Sequence, residues 1–304
     1  MGIRGAVCVL TASVLIGLSV AGGSASAGGP PPLGGVSSWA FAIGNRTLSG
    51  SDAAVGSRLG RFDLAVVDGE EATPGQIERI QSHGTVVLGY LSVGTIEKWR
   101  RWYPQLKRYR LRAWQDWKDE WFADTSKPGF RTKIAQIADG LLDKGFDGLF
   151  LDNVDMVENR GHLHQRRGMG KLVNSLDGLT HDRGLYLFDQ NGAGGMLHGY
   201  PGQGVDPLYA HFDGWNREDA SWTWDFDRHR YKPVRGHTAI QELEDIGAKG
   251  LLTTATDYVD LGDHDLGPEC DSVDAAAGAG ALDYVADIGL TLKAVDANPP
   301  ACGG

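Results

Sequence analysis

Short apolar runs alternate along the chain with longer amphipathic ones, and this alternation is the first constraint on the fold. The pattern predicts strands at Ser38–Ile43, Leu64–Asp68, Val86–Val93, Leu149–Leu151, Leu185–Phe188, His211–Trp215, Leu251–Ala255 and Leu290–Val295. Val86–Val93 is apolar on both faces, as strands buried inside a parallel sheet are. Residues 74–83 read as a helix opened by Thr73, with Pro74 at its first position. Ile134, Ile137, Ala138, Leu141 and Leu142 recur at helical spacing, and Gly145 closes that run. Further helices are expected at 164–183, 238–247 and 273–288, whereas the Trp- and Arg-rich residues 95–125 predict a helix plus a long loop. Strands alternating with helices over this length imply a parallel sheet covered on both faces.

The polar positions then separate a closed barrel from an open sheet. Acids and amides fall at the C-terminal ends of five strands, at Asp68, Asp152, Asn191, Glu218 and Asp257. In a barrel these ends converge on one rim, where barrel enzymes build their sites; in an open sheet they would be strung along a line. The expected fold is α/β, a single-domain (β/α)₈ TIM barrel over residues 37–297, with a flexible lead-in at 28–36 and a tail at 298–304.

The N-terminus carries a different pattern. Arg4, an apolar stretch over residues 6–21 and the small-residue run Ala25-Ser26-Ala27 read as a signal peptide cleaved after Ala27. The apolar stretch falls short of the roughly 20 residues that span a bilayer. Cys8 lies inside it, so the mature chain keeps only Cys270 and Cys302, which in an exported protein imply one disulfide holding the tail. The expectation is a secreted monomer with no membrane association after cleavage. With 39 Asp and Glu against 29 Lys and Arg, a nucleic-acid partner is disfavoured and a neutral or cationic ligand is allowed.

Hydrolysis of a glycosidic bond needs two carboxyl groups, one to protonate the leaving oxygen and one to act as nucleophile or base. Asp152 directly follows Leu149-Phe150-Leu151, Asp155 lies three residues on, and Glu218 follows the sixth strand. The same spacing also suits an Asp152 that caps the next helix and a solvated Glu218. Trp39 and Trp215, close to strand ends, are candidates for stacking on a sugar face. Other chemistry is poorly supported. His162-x-His164 has no third metal ligand at a recognisable spacing, and Asp260–Asp271 lacks the alternation of a calcium loop. Gly192-Ala193-Gly194-Gly195 has no P-loop lysine, and no G-x-S-x-G elbow occurs. No metal and no cofactor are expected.

At these motifs the chain resembles the endo-α-1,4-polygalactosaminidase-type family of TIM-barrel glycoside hydrolases. The matching stretches are VVLGYLSVGTIEKWR at 86–100, EWFAD at 120–124, GFDGLFLDNVD at 145–155 and LFDQNG at 187–192, with weaker matches at FDGWNRE (212–218) and ATDYV (255–259). The resemblance implies cofactor-free cleavage of a galactosamine-containing polysaccharide, with Asp152 and Glu218 as the catalytic carboxylates. It implies that Asp68, Tyr90, Glu97, Arg100, Asp155, Asn191, Asp257 and Tyr258 bind substrate or support the pair. Many relatives carry an acid where Thr95 stands, and the block around Glu218 is less typical. A carbohydrate-binding barrel without turnover, or a hydrolase of a different exopolysaccharide, are the alternatives.

Overall fold

The computed structural model describes residues 30–262 and 266–302. The proposed signal peptide, its cleavage site and Cys8 lie outside the described residues.

Eight parallel strands form one sheet in chain order: β1 (Trp39–Ala42), β2 (Leu64–Asp68), β3 (Val86–Ser92), β4 (Gly148–Asp152), β5 (Tyr186–Gln190), β6 (Gly214–Glu218), β7 (Leu252–Tyr258) and β8 (Leu282–Ala286). Neighbours from β1 through β8 are hydrogen-bonded in register. β8 comes back beside β1, where the rings of Trp39 and Tyr284 meet at 5.7 Å between centroids. The sheet is therefore a (β/α)₈ TIM barrel with its helices outside.

Those helices are α1 (Asp52–Leu59), α2 (Pro74–Gln81), α3 (Pro128–Leu142), α4 (Arg166–His181), α5 (Ala193–His198), α6 (Thr238–Gly247), α7 (Gly267–Gly278) and α8 (Leu292–Ala297). α2 starts as its sequence prescribes. The Thr73 hydroxyl accepts from the Gln76 amide at 3.2 Å, and the Gln76 side chain accepts from the Thr73 amide at 3.1 Å, so each satisfies an amide that the helix leaves free. α3 buries Phe130, Ile134, Ala138, Leu141 and Leu142, the apolar stripe expected of a helix packed on a sheet.

The barrel interior is aromatic at its centre. Phe41 packs on Phe150 at 5.1 Å and on Tyr90 at 6.3 Å. Above this layer the inward positions turn polar. Thr254 and Thr256 donate to Asn216 Oδ1, Asn216 Nδ2 donates to Gln190 Oε1, and Gln190 Nε2 donates to Asp152 Oδ1. Hydrophobic closure below thus positions a hydrogen-bonded chain that leads to the rim.

Three expectations about elements are corrected. The last helix and strand are out of register with the prediction: α7 ends at Gly278, β8 occupies 282–286, and residues 292–297 are helical. Gly280, at φ +72°, stops the alanine-rich helix, and Leu-Asp-Tyr-Val-Ala then takes the strand. Residues 95–125 are chiefly a three-stranded antiparallel sheet, Thr95–Glu97, Glu120–Ala123 and Arg110–Ala113, with only a short helix at Tyr103–Leu106. The sixth strand begins later than predicted and runs through Glu218, because Asn216 and Glu218 are inward positions of the barrel. Helix α1 had no counterpart among the predicted elements.

Cys270 and Cys302 form the expected disulfide, with Cα atoms 5.5 Å apart across a separation of 32 residues. A loop of that length corresponds to about 3–4 kcal/mol in the chain-entropy model. Among the described residues, no helix is long and apolar enough to cross a membrane.

Candidate active site

The strands β4, β5 and β6 end in the same way. The residue just past the inward-facing end of each takes a left-handed backbone: Asn153 at φ 63°, Asn191 at 62° and Asp219 at 56°. Asn and Asp tolerate this region better than other residues with a Cβ. The chain therefore leaves the barrel sharply, while the preceding side chains stay at its mouth.

Asp152 ends β4 and is half-buried. Its Oδ2 accepts from the Tyr90 hydroxyl at 2.5 Å, and its Oδ1 accepts from the Asn153 amide at 2.7 Å and from Gln190 Nε2 at 3.2 Å. Glu218 ends β6 and is also half-buried. Asn191 Nδ2 donates to its Oε2 at 2.9 Å, and the Tyr258 hydroxyl donates to its Oε1. Asn191 in turn accepts from the Glu218 amide at 3.1 Å and from Arg217 at 3.2 Å. Arg217 is held by Glu242 on α6. Every side chain that donates to either carboxylate is a neutral Tyr, Gln or Asn.

Burial raises the pKa of both carboxyls. For Asp152 the Tyr90 hydrogen bond opposes this, and the charge of Asp155 adds to it. For Glu218 the charge of Asp152 reinforces burial, against the bond from Tyr258. A carboxyl whose pKa is raised by a neighbouring carboxylate favours holding its proton while that neighbour is ionised. Asp155, on the turn after Asp152, is pushed up to about 7 by burial and by the charges of Glu158 and Glu218.

A second group of the expected residues sits at the ends of β2 and β3. Arg100 Nε donates to Glu97 at 2.7 Å, and its Nη1 donates to Asp68 at 2.6 Å. Asp68 also accepts from the amides of Glu70 and Glu71. All three side chains are buried. The guanidinium lies 5.8 Å from the Tyr90 ring centroid, so this cluster backs the tyrosine that serves Asp152.

Three candidates are placed elsewhere. Trp39 is 2% exposed and Trp215 is fully buried, so neither offers a face to a sugar. Trp39 stacks on Phe41 at the base of the barrel, and Trp215 points outward from β6 with its Nε1 donating to the Asn191 carbonyl. Trp39 stands at the first position of β1, the end away from the rim, and the Trp215 ring is on the outer side of the sheet. Asp257 also faces outward: Oδ1 accepts from the amides of Ser221 at 2.7 Å and Trp222 at 2.9 Å, pinning the loop that follows Glu218.

Gln190, Asn216 and Glu120 were not among the expected residues. Gln190 and Asn216 share the period-two alternation of Asp152 and Glu218, and that signal was available in the sequence. Glu120 is less legible. It arrives on an antiparallel strand, where the Thr95 hydroxyl donates to it at 2.5 Å, and burial raises it to about 8, with the charges of Glu97 and Asp152 adding. An acid is thus delivered beside Thr95 from a neighbouring strand. His162 has Arg112 donating to its Nε2 at 3.2 Å. Among the described residues, no group of three or more His, Cys, Asp or Glu has the arrangement to hold a metal ion.

Two excursions rise from this rim: the three-stranded sheet after β3, and a hairpin after β6 formed by Trp222–Asp225 and Arg230–Pro233. They meet where Trp117 and Phe226 make an edge-on ring contact at 5.9 Å.

Comparison with known proteins gives the chain a family. An uncharacterised protein of Thermotoga maritima is 23% identical over 223 residues, and the alignment spans 66% of each chain. Among solved structures, the glycoside hydrolase domain of PelA from Pseudomonas aeruginosa superposes with a TM-score of 0.65 at 22% identity, covering 84% of this chain and 96% of that one. Aspergillus fumigatus Ega3, in complex with galactosamine, gives 0.65 at 18% identity, covering 86% and 94%. Both share the barrel fold. The model of glycoside-hydrolase family GH114 matches residues 20–198, more than half of the sequence, and the chain belongs to that family.

Proposed function

We propose that the protein is a secreted, endo-acting glycoside hydrolase that cleaves α-1,4-linked galactosamine or N-acetylgalactosamine polysaccharide, using Asp152 and Glu218. The observation that carries this reading is the placement of two half-buried carboxylates at the ends of β4 and β6, each held by neutral donors and each raised in pKa by burial. A charged partner would fix both as anions; neutral donors orient them and leave the proton free to move.

The donor sets support one assignment of roles. Asp152 accepts three hydrogen bonds, which favour its ionised form, and it serves as the nucleophile or base. Glu218 accepts two side-chain donors and faces the charge of Asp152, so it holds the proton and gives it to the departing glycosidic oxygen. Asp155, Asn191, Tyr90 and Tyr258 contact substrate or hold the pair. Asp68, Glu97 and Arg100 act behind Tyr90. A carboxyl separation of about 5–5.5 Å in a ligand complex supports retention, our reading, and about 6.5–9.5 Å supports inversion. The galactosamine found with Ega3 and the acidic balance of this chain favour a cationic amino-sugar polymer.

The test is incubation with galactosamine and N-acetylgalactosamine polymers, with product sizes read by mass spectrometry. A ladder of oligosaccharides supports endo cleavage. Binding without shortening of any polymer contradicts turnover, and cleavage of an unrelated glycan alone contradicts the substrate.

A further inference from the structure

Charge is distributed unevenly in this chain. The whole sequence carries a formal net charge of −10, yet residues 98–118 contain eight Lys or Arg and a single acid, Asp116. Three of those cations are neutralised: Arg100 by Asp68 and Glu97, Lys98 by Asp119, and Arg101 by Glu70. Lys107, Arg108, Arg110, Arg112 and Lys118 are exposed, and among the described residues none of them has a carboxylate within 4.0 Å. Five unpaired cations within twelve residues repel one another, and an acidic protein has carboxylates enough to relieve them.

The guanidinium groups are also arranged. Arg108 lies over Tyr109 at 4.7 Å, Arg110 over Trp121 at 4.5 Å and over Tyr103 at 5.5 Å, and Arg112 over Phe122 at 4.5 Å. Arg110 and Arg108 donate to the hydroxyls of Tyr103 and Tyr109, and Arg112 donates to His162. Each long side chain is thereby held against a ring, losing less freedom when it meets an anion. The edge strand Arg110–Ala113 carries two of them.

We infer that the Lys107–Lys118 face of the excursion after β3 docks a linear, base-free phosphodiester polymer of the polyol-phosphate type. On the substrate reading proposed above, a galactosamine chain is cationic and repelled from this face and an N-acetylated chain is neutral and not drawn to its charge, so the face is not a continuation of the substrate track. Arginine forks suit phosphate oxygens in pairs. The rings under the arginines are capped, which leaves only Trp99 and Trp117 of this segment open for stacking and disfavours single-stranded nucleic acid, whose binding relies on such platforms. Docking would hold the enzyme on an anionic surface with its acidic cleft free.

The experiment measures binding of a fluorescent glycerol-phosphate polymer to the whole protein across a salt series, beside an oligothymidylate of equal phosphate count and vesicles of phosphatidylglycerol. Five contacts predict a slope of log K against log salt of about −2 to −4. The triple variant Arg108→Gln/Arg110→Gln/Arg112→Gln should bind at least about tenfold more weakly, with a slope near −1. The corresponding Arg→Lys triple should recover part of the affinity, and circular dichroism should show both variants folded. If the Gln triple fails to fold, Lys107→Gln/Lys118→Gln replaces it, with a smaller loss expected. No salt-dependent binding, an unaffected variant, or oligothymidylate or vesicles bound tenfold more tightly than the glycerol-phosphate polymer would each overturn the proposal.

Discussion

The rim of this barrel holds two groups of carboxylates solved in opposite ways. At the ends of β2 and β3, Asp68 and Glu97 are buried and share one guanidinium. At the ends of β4 and β6, Asp152 and Glu218 are half-buried, and the side chains that donate to them are tyrosine, glutamine and asparagine. An ion pair in a buried place fixes charge and geometry together, and removing one partner strands the other. Neutral donors fix geometry while leaving protonation open. The first arrangement suits a scaffold, the second a site where a proton must move. Tyr90 joins them, with Arg100 behind its ring and Asp152 on its hydroxyl.

This contrast can be broken by substitution. The largest effect is expected for Asp152→Asn, which should lower kcat by at least about a thousandfold while the thermal midpoint stays near wild type. A matched loss of stability would place Asp152 with the scaffold instead. Arg100→Gln should do the reverse. It leaves Asp68 and Glu97 buried without a cation, and denaturant unfolding should show a loss of about 3–5 kcal/mol.

Tyr258→Phe and Tyr90→Phe sharpen the comparison, since each removes a bond that favours the ionised carboxylate. Either should cost about tenfold to a hundredfold in kcat/KM. The pH profile then separates them. Loss of the Tyr258 hydroxyl raises Glu218 further and moves the basic limb to higher pH; loss of the Tyr90 hydroxyl raises Asp152 and moves the acidic limb upward. Limbs that stay in place, or move downward, contradict the assigned roles.

The smallest effect belongs to the far end of the barrel. There His181 contacts Asp177 and Asp213, and His211 contacts Asp177. Burial lowers the pKa of His181, but the two aspartates outweigh it, so the net shift is upward. A folded pKa above the unfolded value means that the charged form stabilises the fold. That contribution is complete below the unfolded pKa of about 6.5 and is lost as pH rises through the higher folded value. The stability difference between wild type and His181→Gln should shrink from pH 5.5 to pH 8.5 by less than about 1 kcal/mol, with activity unchanged. A difference that grows with pH would mean that the neutral imidazole of His181 is the stabilising form.

Much of the site was legible because strand ends have a fixed meaning in a parallel barrel. Asp152 closes the apolar run Leu149-Phe150-Leu151, Glu218 ends the more polar β6, and both occupy the mouth. Direction relative to the sheet was harder to read. Trp39 and Trp215 lie on strands, as expected, but their rings turn into packing, and Asp257 faces outward although Tyr258 beside it faces in. One step along a strand changes the face, and a motif without its register does not say which. The excursion at 95–125 departs from the helix and loop its sequence predicts for another reason. Its strands pair across more than twenty residues, Thr95 with Phe122 and Glu97 with Glu120, so local periodicity carries little of the signal. The same non-local pairing delivers Glu120 to Thr95 and assembles the arginine face.

The central claim is that Glu218 completes a catalytic pair with Asp152. The most direct measurement is the initial rate of galactosamine-polymer depolymerisation by Glu218→Gln, taken beside its unfolding curve and its affinity for the uncleaved polymer. Turnover should fall by at least about a thousandfold, with wild-type stability and binding. Near-normal turnover in Glu218→Gln would contradict it and leave Asp155 as the next candidate for the second carboxylate.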